Sequence, residues 1–451
     1  MRKLLENAAN RSIQYLEGLA SRSVAPKPEA VARLSTLNVP LPDLPVPSDE
    51  VIRQLDDICS PATMAMAGPR FFGFVIGGSL PVTLAANWLA GAWDQNAALS
   101  NVTPAIALLE QIALRWLLDL FKLPAGSGGG FVTGATMANF SALAAARHAV
   151  LAQVGWNVEA DGLFGAPEIT MVVGAEVHTT LIKALGLLGF GRSRLVKVAV
   201  DAQGRMLASA FPAISGPAIV CLQAGNVNTG AFDPFPEIID RAHQAGAWVH
   251  VDGAFGLWAA AAPAREYLSA GINQADSWAT DAHKWLNVPY DSGLAFVRDL
   301  DALRAAMSVT AEYLPTTSLN RNPSDFTPEL SRRGRGVEVW AALRGLGRQG
   351  VAEMIERNCC QASRFAEGLQ KAGYKVLNEV VLNQVLVSFG SAETTLKVIS
   401  EIQSDGACWC GSTVWQGQTA MRISVSSWAT TDADVELSLE SMIRIAKKYK
   451  V

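Results

Sequence analysis

Residues 243–256 read HQAGAWVHVDGAFG, and residues 276–293 read DSWATDAHKWLNVPYDSG. Each holds a short apolar run that ends in reactive side chains: Asp252 closes the first, and Lys284 follows His283 after the second. Runs that are apolar throughout, rather than in alternation, describe strands covered on both faces, as in a mostly parallel sheet between helices. A carboxylate at the C-terminal end of such a strand points at the crevice where open α/β sheets bind ligands. A structural cap is the other reading of Asp252. A lysine set among Ala, His and Trp is unusual for a solvated one, and an amine nucleophile is helped by desolvation and by neighbouring cations.

The same pattern extends to both sides. EITMVVG (168–174), RLVKVAV (194–200), AIVCLQ (218–223) and GLAFV (293–297) are further β-rich runs, several separated by helical stretches. Upstream, Ile106, Leu109, Ile112, Ala113, Trp116, Leu117 and Leu120 fall on one helical face. A Gly-rich turn is expected at Gly126–Gly130, then a helix from about 137 to 153. Alternation of this kind predicts an α/β fold. Beyond about Gly345, long helical stretches bracket QVLVSF and MRISVS, which reads as a smaller α+β domain. The start differs: a helical segment from Leu4 to Leu19 leads into AVARLSTLNVPLPDLPVP (30–47), whose prolines favour an extended connector. The expected division is an N-terminal arm and linker (1–50), a large domain (51–345) and a small C-terminal domain (346–451).

Composition excludes several classes. Lys plus Arg is 37 and Asp plus Glu is 41, a net charge of −4, which argues against nucleic acid as a partner. Charged residues are only 17%, yet no apolar run reaches the length of about 20 residues a spanning helix needs. Glu6, Asn7 and Asn10 interrupt any secretory core. Neither Cys359/Cys360 nor Cys408/Cys410 has CxxC spacing, and the five histidines are scattered. No metal site is expected, and the simplest reading is a reduced, soluble, cytoplasmic protein. The glycines of 125–134 fit neither GxGxxG nor a P-loop, and there is no GxSxG elbow.

Four segments remain. GGGFVTGATMANFSAL (128–143) opens a helix with Gly134, Ala135 and Thr136, small residues that let an anion approach backbone N–H groups. AEVHTTLIKALGLLGFG (175–191) brings His178, which by itself reads equally as a helix cap or surface residue. The segments around Asp252 and Lys284 complete the set. An amine to hold it, a carboxylate for its ring nitrogen, an anion cradle and a flat group to stack on it are what pyridoxal 5′-phosphate needs.

At this point the chain resembles the group II pyridoxal-phosphate decarboxylases, which include aromatic-L-amino-acid decarboxylase and glutamate decarboxylase and, more distantly, sphingosine-phosphate lyase. The motifs that carry the resemblance are PRFFGFVIGG (69–78), TPAIALLE (103–110), TGATMANFSAL (133–143), VHVDGAFG (249–256), DAHKW (281–285) and SRRGRGVEVWAALR (331–344). The resemblance implies fold type I, the aspartate aminotransferase fold, as a homodimer with active sites at the interface. The arm would wrap the partner, and residues 96–103 would reach the neighbouring site. Lys284 matches the lysine that forms the internal aldimine, Asp252 the carboxylate on the pyridinium nitrogen, and His178 the stacking histidine. Ala135 and Thr136 match the phosphate cradle, His283 the histidine beside the lysine, Ala254 a small residue against the ring, and Asn226 a position where the family often has threonine.

The resemblance implies decarboxylation of an L-amino acid. Another reaction on the same cofactor (oxidative deamination to an aldehyde, carbon–carbon cleavage or transamination) and a non-enzymatic scaffold are the alternatives. Phe326, in RNPSDFTPELSRR (321–333), falls near a tyrosine that the family uses as proton donor. Two readings of it stand: a lost proton donor, with aldehyde as product, or a packing residue, with Tyr313, Tyr290 or His178 donating. Asp281 lies where some relatives have asparagine near the phosphate, so its carboxylate is expected to point away or to pair. Phe71, Phe72, Phe74, Val75 and Ile76 read either as an apolar substrate wall or as core, and Arg422 does not discriminate between substrates.

Overall fold

The computed structural model describes residues 1–308 and 321–449; Tyr313 lies outside the described residues. The chain divides into two units, residues 1–78, 361–377 and 385–451 in one, and 79–360 and 378–384 in the other. This differs from the division expected at 50 and 345. Residues 51–78 belong with the C-terminal segment because their backbone is bonded to it: Phe72 N–H donates to Trp409 O at 2.8 Å, and Ser424 N–H donates to Phe72 O at 3.0 Å.

The first unit begins with α1 (Arg2–Gly18), α2 (Pro28–Arg33) and α3 (Ser48–Gln54). No residue of α1 is buried, and residues 38–47 are without helix or strand, as the prolines require. Phe71 stacks on Trp409 (centroids 5.1 Å), and Phe72 meets Phe365 edge-on. Phe71, Phe72 and Val75 are therefore core residues, whereas Phe74 is 56% exposed.

The second unit holds α4 (Pro81–Trp93), α5 (Pro104–Leu120), α6 (Ala135–Ala152), α7 (Val158–Asp161), α8 (Thr179–Leu187), α9 (Phe235–Gln244) and α10 (Leu300–Met307). These flank β1 (Gly128–Val132), β2 (Thr170–Gly174), β3 (Val196–Val198), β4 (Ala218–Gln223), β5 (Trp248–Asp252), β6 (Ser277–Asp281) and β7 (Gly293–Val297). The order is β1-β7-β6-β5-β4-β2-β3. Pairings among β2 to β6 are parallel, and β7 runs antiparallel to both β6 and β1. The sheet is thus mostly parallel, as its apolar runs predict. β5, β6 and β7 are buried at every position. α6 presents Ala138, Ala142, Ala145 and Ala146, all 0% exposed, and such small side chains let a helix lie close to a sheet.

The expected turn at Gly126–Gly130 is instead mostly strand. β1 pairs with β7, and a Cβ on Gly129 would stand 1.8 Å from Ala295 O. Glycine is there for close backbone approach, not for turning. α11 (Gly336–Lys371) has non-helical backbone at Gly347 and leads into the rest of the first unit. This comprises β8 (Lys375–Val376), β9 (Gln384–Ser388), α12 (Ala392–Asp405), β10 (Gly411–Trp415), β11 (Gln418–Ser424) and α13 (Asp432–Lys447). The small sheet has the order β10-β11-β9-β8.

Candidate active site

In the second unit, β2, β4, β5 and β6 are parallel neighbours, so their C-terminal ends share one edge of the sheet. His178, Asn226, Asp252 and Lys284 follow or close those four strands. The topology therefore brings the sequence-predicted residues to the edge where parallel sheets bind ligands.

Lys284 faces an anion. Its Nζ pairs with Asp281 Oδ2 at 2.9 Å. Asp281 Oδ1 accepts from the Ala135 N–H at 2.6 Å, so one carboxylate, 2% exposed, joins the lysine to the head of α6. Asp281 pairs, as its position predicts. His283 Nδ1 accepts from the Ser292 N–H at 3.1 Å, which places the ring proton on Nε2, 3.6 Å from Asp281 Oδ1. Burial lowers the pKa of this imidazole. Tyr290 stacks on it with centroids 4.2 Å apart.

Asp252 is 5% exposed. Its Oδ1 accepts from the Ala254 N–H and its Oδ2 from Asn139 Nδ2, each at 3.2 Å. Ala254 in turn accepts the Asp281 N–H at 2.9 Å, which ties the two carboxylate-bearing loops together. Behind Asp252 lies a chain that the sequence reading missed. Asn139 Oδ1 lies 2.8 Å from His250 Nε2, and His250 Nδ1 lies 2.9 Å from Ser277 Oγ. Because Asn139 Oδ1 can only accept, His250 carries its proton on Nε2. Burial pulls the pKa of His250 down to about 3, so the ring is neutral. The signal for this chain was in VHVD: residues two apart share a strand face, so His250 faces the same side as Asp252.

His178 is the N-cap of α8, and its Nδ1 accepts from the Thr180 N–H at 3.3 Å with Thr180 Oγ1 at 2.7 Å. The helix-cap reading describes its bonds, and the cap also fixes the ring plane. Thr136, half-buried, is the second residue of α6. Asn226 makes its bonds within its own loop: Oδ1 accepts from the Asn228 and Thr229 N–H groups, and Nδ2 donates to Gln223. Phe326 is 8% exposed and belongs to the apolar cluster with Val297 and Leu303. Arg321 lies over its ring at 3.8 Å. These neighbours are the ones the packing reading expects.

The donor set fits an anionic cofactor. The head of an 18-residue helix already receives a carboxylate, and helix N-termini favour negative charge. Gly134 keeps the approach open: a Cβ there would stand 3.1 Å from His283 Cε1 and 3.4 Å from Asp281 Oδ1. A Cβ on Gly293 would meet Gly134 Cα at 2.5 Å. Among the described residues, no helix is long and apolar enough to cross a membrane.

Comparison with known proteins gives the same reading. The rice (Oryza sativa subsp. japonica) tryptophan decarboxylase 1 is 26% identical over 466 aligned positions, covering 95% of this chain and 90% of that protein. Aromatic-L-amino-acid decarboxylase of Bacillus atrophaeus is 25% identical over 473 positions, covering 100% and 95%. A crystal structure of Oryza sativa TDC with PLP and tryptamine superposes with a TM-score of 0.91 at 22% identity, covering 99% of this chain and 98% of that one. The family described as "Pyridoxal-dependent decarboxylase conserved domain" matches residues 28–390, so the chain belongs to the pyridoxal-dependent decarboxylases and is a carboxy-lyase that uses pyridoxal 5′-phosphate.

Proposed function

We propose that the chain removes the α-carboxylate of an L-amino acid, with Lys284 holding the cofactor covalently and Asp252 facing its ring nitrogen. The observation that carries this reading is the pairing of the Lys284–Asp281–Ala135 link with the two-donor anchorage of Asp252 on the adjacent strand. When bound, pyridoxal 5′-phosphate supplies the electron sink for the charge left at Cα. The protein's own part is electrostatic and geometric. The Asp252 carboxylate stabilises a proton on the ring nitrogen by its charge. Asn139 and the Ala254 N–H fix which way that carboxylate points. His178, oriented by its cap on α8, offers a flat face. The head of α6, with Ala135 and Thr136, takes the phosphate. His283, whose pKa burial lowers, provides Nε2–H as a donor beside it, since its Nδ1 accepts from the Ser292 N–H.

We further take the protein to be a cytoplasmic homodimer. Leu5, Ile13 and Leu16 on α1 and Trp88, Leu89 and Trp93 on α4 are exposed apolar residues that a partner would cover. Within 96–103, Asn96, Asn101 and Val102 are exposed, Val102 at 65%, and these are the side chains available to a neighbouring subunit.

The test is a panel of L-amino acids, aromatic, aliphatic, acidic and basic, with release of carbon dioxide measured and products identified by mass spectrometry. Stoichiometric carbon dioxide and amine support the reading. A keto acid or a carbon–carbon cleavage product without carbon dioxide would replace it with the alternative chemistry on the same cofactor.

A further inference from the structure

Asp281 has a feature that the decarboxylase reading does not use. Its backbone is locked: the N–H donates to Ala254 O at 2.9 Å, and the carbonyl accepts from Trp258 Nε1 at 3.0 Å. It is also paired with Gly293 across β6 and β7. Only the side chain is free to turn. That side chain holds two groups that the cofactor also needs, the Ala135 N–H with one oxygen and Lys284 Nζ with the other. The groups facing the carboxylate are Lys284, the His283 ring and the α6 terminus, with Tyr290 near enough for the carboxylate's charge to help push its phenol pKa up. Among the described residues, no further cation is ion-paired with Asp281.

We propose that Asp281 sets the strength of cofactor binding by competing with the cofactor phosphate for the Ala135 amide at the head of α6. This rests on the pyridoxal-phosphate reading of the site. A phosphate and a carboxylate are both acceptors and both negative, so one N–H at 2.6 Å from Asp281 Oδ1 does not serve both at full strength. A phosphate that settles there must turn away a carboxylate that is itself 2% exposed, and like charges repel most where water is scarce. Asparagine has the same shape. It offers one neutral oxygen and one N–H donor, so it would greet the phosphate rather than repel it. The aspartate therefore makes the phosphate a weaker handle on the cofactor than the donor set alone allows. It gives Lys284 a fixed position in exchange.

The experiment compares pyridoxal 5′-phosphate with pyridoxal, which needs the lysine but has no phosphate. Full-length wild type, Asp281→Asn and Asp281→Ser are stripped of cofactor and titrated with each compound by visible absorbance, and the unliganded proteins are melted. The expected result is a ratio of phosphate-bearing to phosphate-free affinity at least about ten-fold higher in Asp281→Asn than in wild type, with a lower melting temperature before cofactor is added. Asp281→Ser, which removes the charge without the amide, should raise the ratio in the same direction and serves if the asparagine variant folds poorly. A ratio that stays the same or falls in both variants would overturn the proposal, because Asp281 would then be a fixed brace. Absence of any spectral change when pyridoxal 5′-phosphate is added to the wild type would instead remove the decarboxylase reading, and this inference with it.

Discussion

Asn139 stands between Asp252 and His250, donating through Nδ2 to the carboxylate at 3.2 Å and accepting through Oδ1 at 2.8 Å from the imidazole. It is 0% exposed, so each of its bonds is made without competition from water. The residue acts on Asp252 and not on substrate; it is a positioning residue.

Asn139→Ala should leave the His250 Nε2–H buried without a partner and Asp252 with a single N–H donor. An unsatisfied buried group costs about 1–3 kcal/mol. We expect a lower urea midpoint, weaker cofactor binding, and a kcat loss larger than any change in KM. Asn139→Asp, which places a second carboxylate against Asp252, should bind cofactor more weakly still. Cofactor affinity equal to wild type in both variants would show that Asp252 does not need this support.

Glu110 and Arg332 form a bidentate pair, both contacts at 2.7 Å, with each side chain only 2% exposed. Removal of one member leaves the other charge buried alone. Arg332→Met should destabilise the chain by roughly 3–5 kcal/mol, read as a shift in the urea midpoint. Adding Glu110→Leu to that variant should recover most of the loss, because the pair's own net contribution is small once desolvation is counted. A double variant as unstable as the single one would contradict this.

Much of this site was legible because it depends on short-range pattern. Apolar runs that end in Asp252 and in His283–Lys284 announce parallel strands and their loaded ends. Their neighbours along the sheet edge follow from the strand order. What was not legible depends on partners far away in sequence. Asn139 and His250 are 111 residues apart and meet only because α6 packs on β5. Gly126–Gly130 reads as a turn by composition, yet its last three residues open β1, since the demand on glycine there comes from Ala295 on β7. β10 escaped notice because its burial alternates through Gly, Ser and Thr, which leaves no apolar run to detect. Phe326 was matched by its place in a loop, whereas its apolar neighbours Val297 and Leu303 come from β7 and α10, which no local pattern announces.

His250 should make stability depend on pH. In the folded chain its pKa is about 3, against about 6.5 unfolded. The pKa is depressed, so the contribution is whole above pH 6.5 and is lost as pH falls toward 3. Asp233 works the other way. Burial raises its pKa to about 6, so the folded chain takes up a proton below pH 6 that the unfolded chain takes only near 3.8. Comparison with His250→Gln separates the two. Between pH 6 and 4.5 the wild type should lose stability faster than the variant by up to about 1.4 kcal/mol per pH unit, the weight of one proton. Parallel stability curves for the two proteins would mean that His250 is not the buried neutral ring described.

Phe326→Tyr tests where the protonating group lies. The ring sits in the cluster of Val297 and Leu303 under Arg321, so a hydroxyl added there enters an apolar pocket. An unpaired hydroxyl costs about 1–3 kcal/mol, and the variant should melt at a lower temperature. Its products should not change, because a phenol buried in that cluster does not deliver a proton to Cα. Tyr290, stacked on His283, Tyr313, outside the described residues, and the His178 ring remain as donors. Of these, His178 presents Nε2–H, because its Nδ1 accepts from the Thr180 N–H. Tyr290→Phe, Tyr313→Phe and His178→Gln should therefore be compared for amine yield and oxygen uptake on the best substrate. The donor is the residue whose loss lowers amine yield and raises oxygen consumption, since a carbanion that is not protonated lives long enough to meet oxygen. A wild type that consumes oxygen, coupled with a rise in amine yield in Phe326→Tyr, would return Phe326 to the active site.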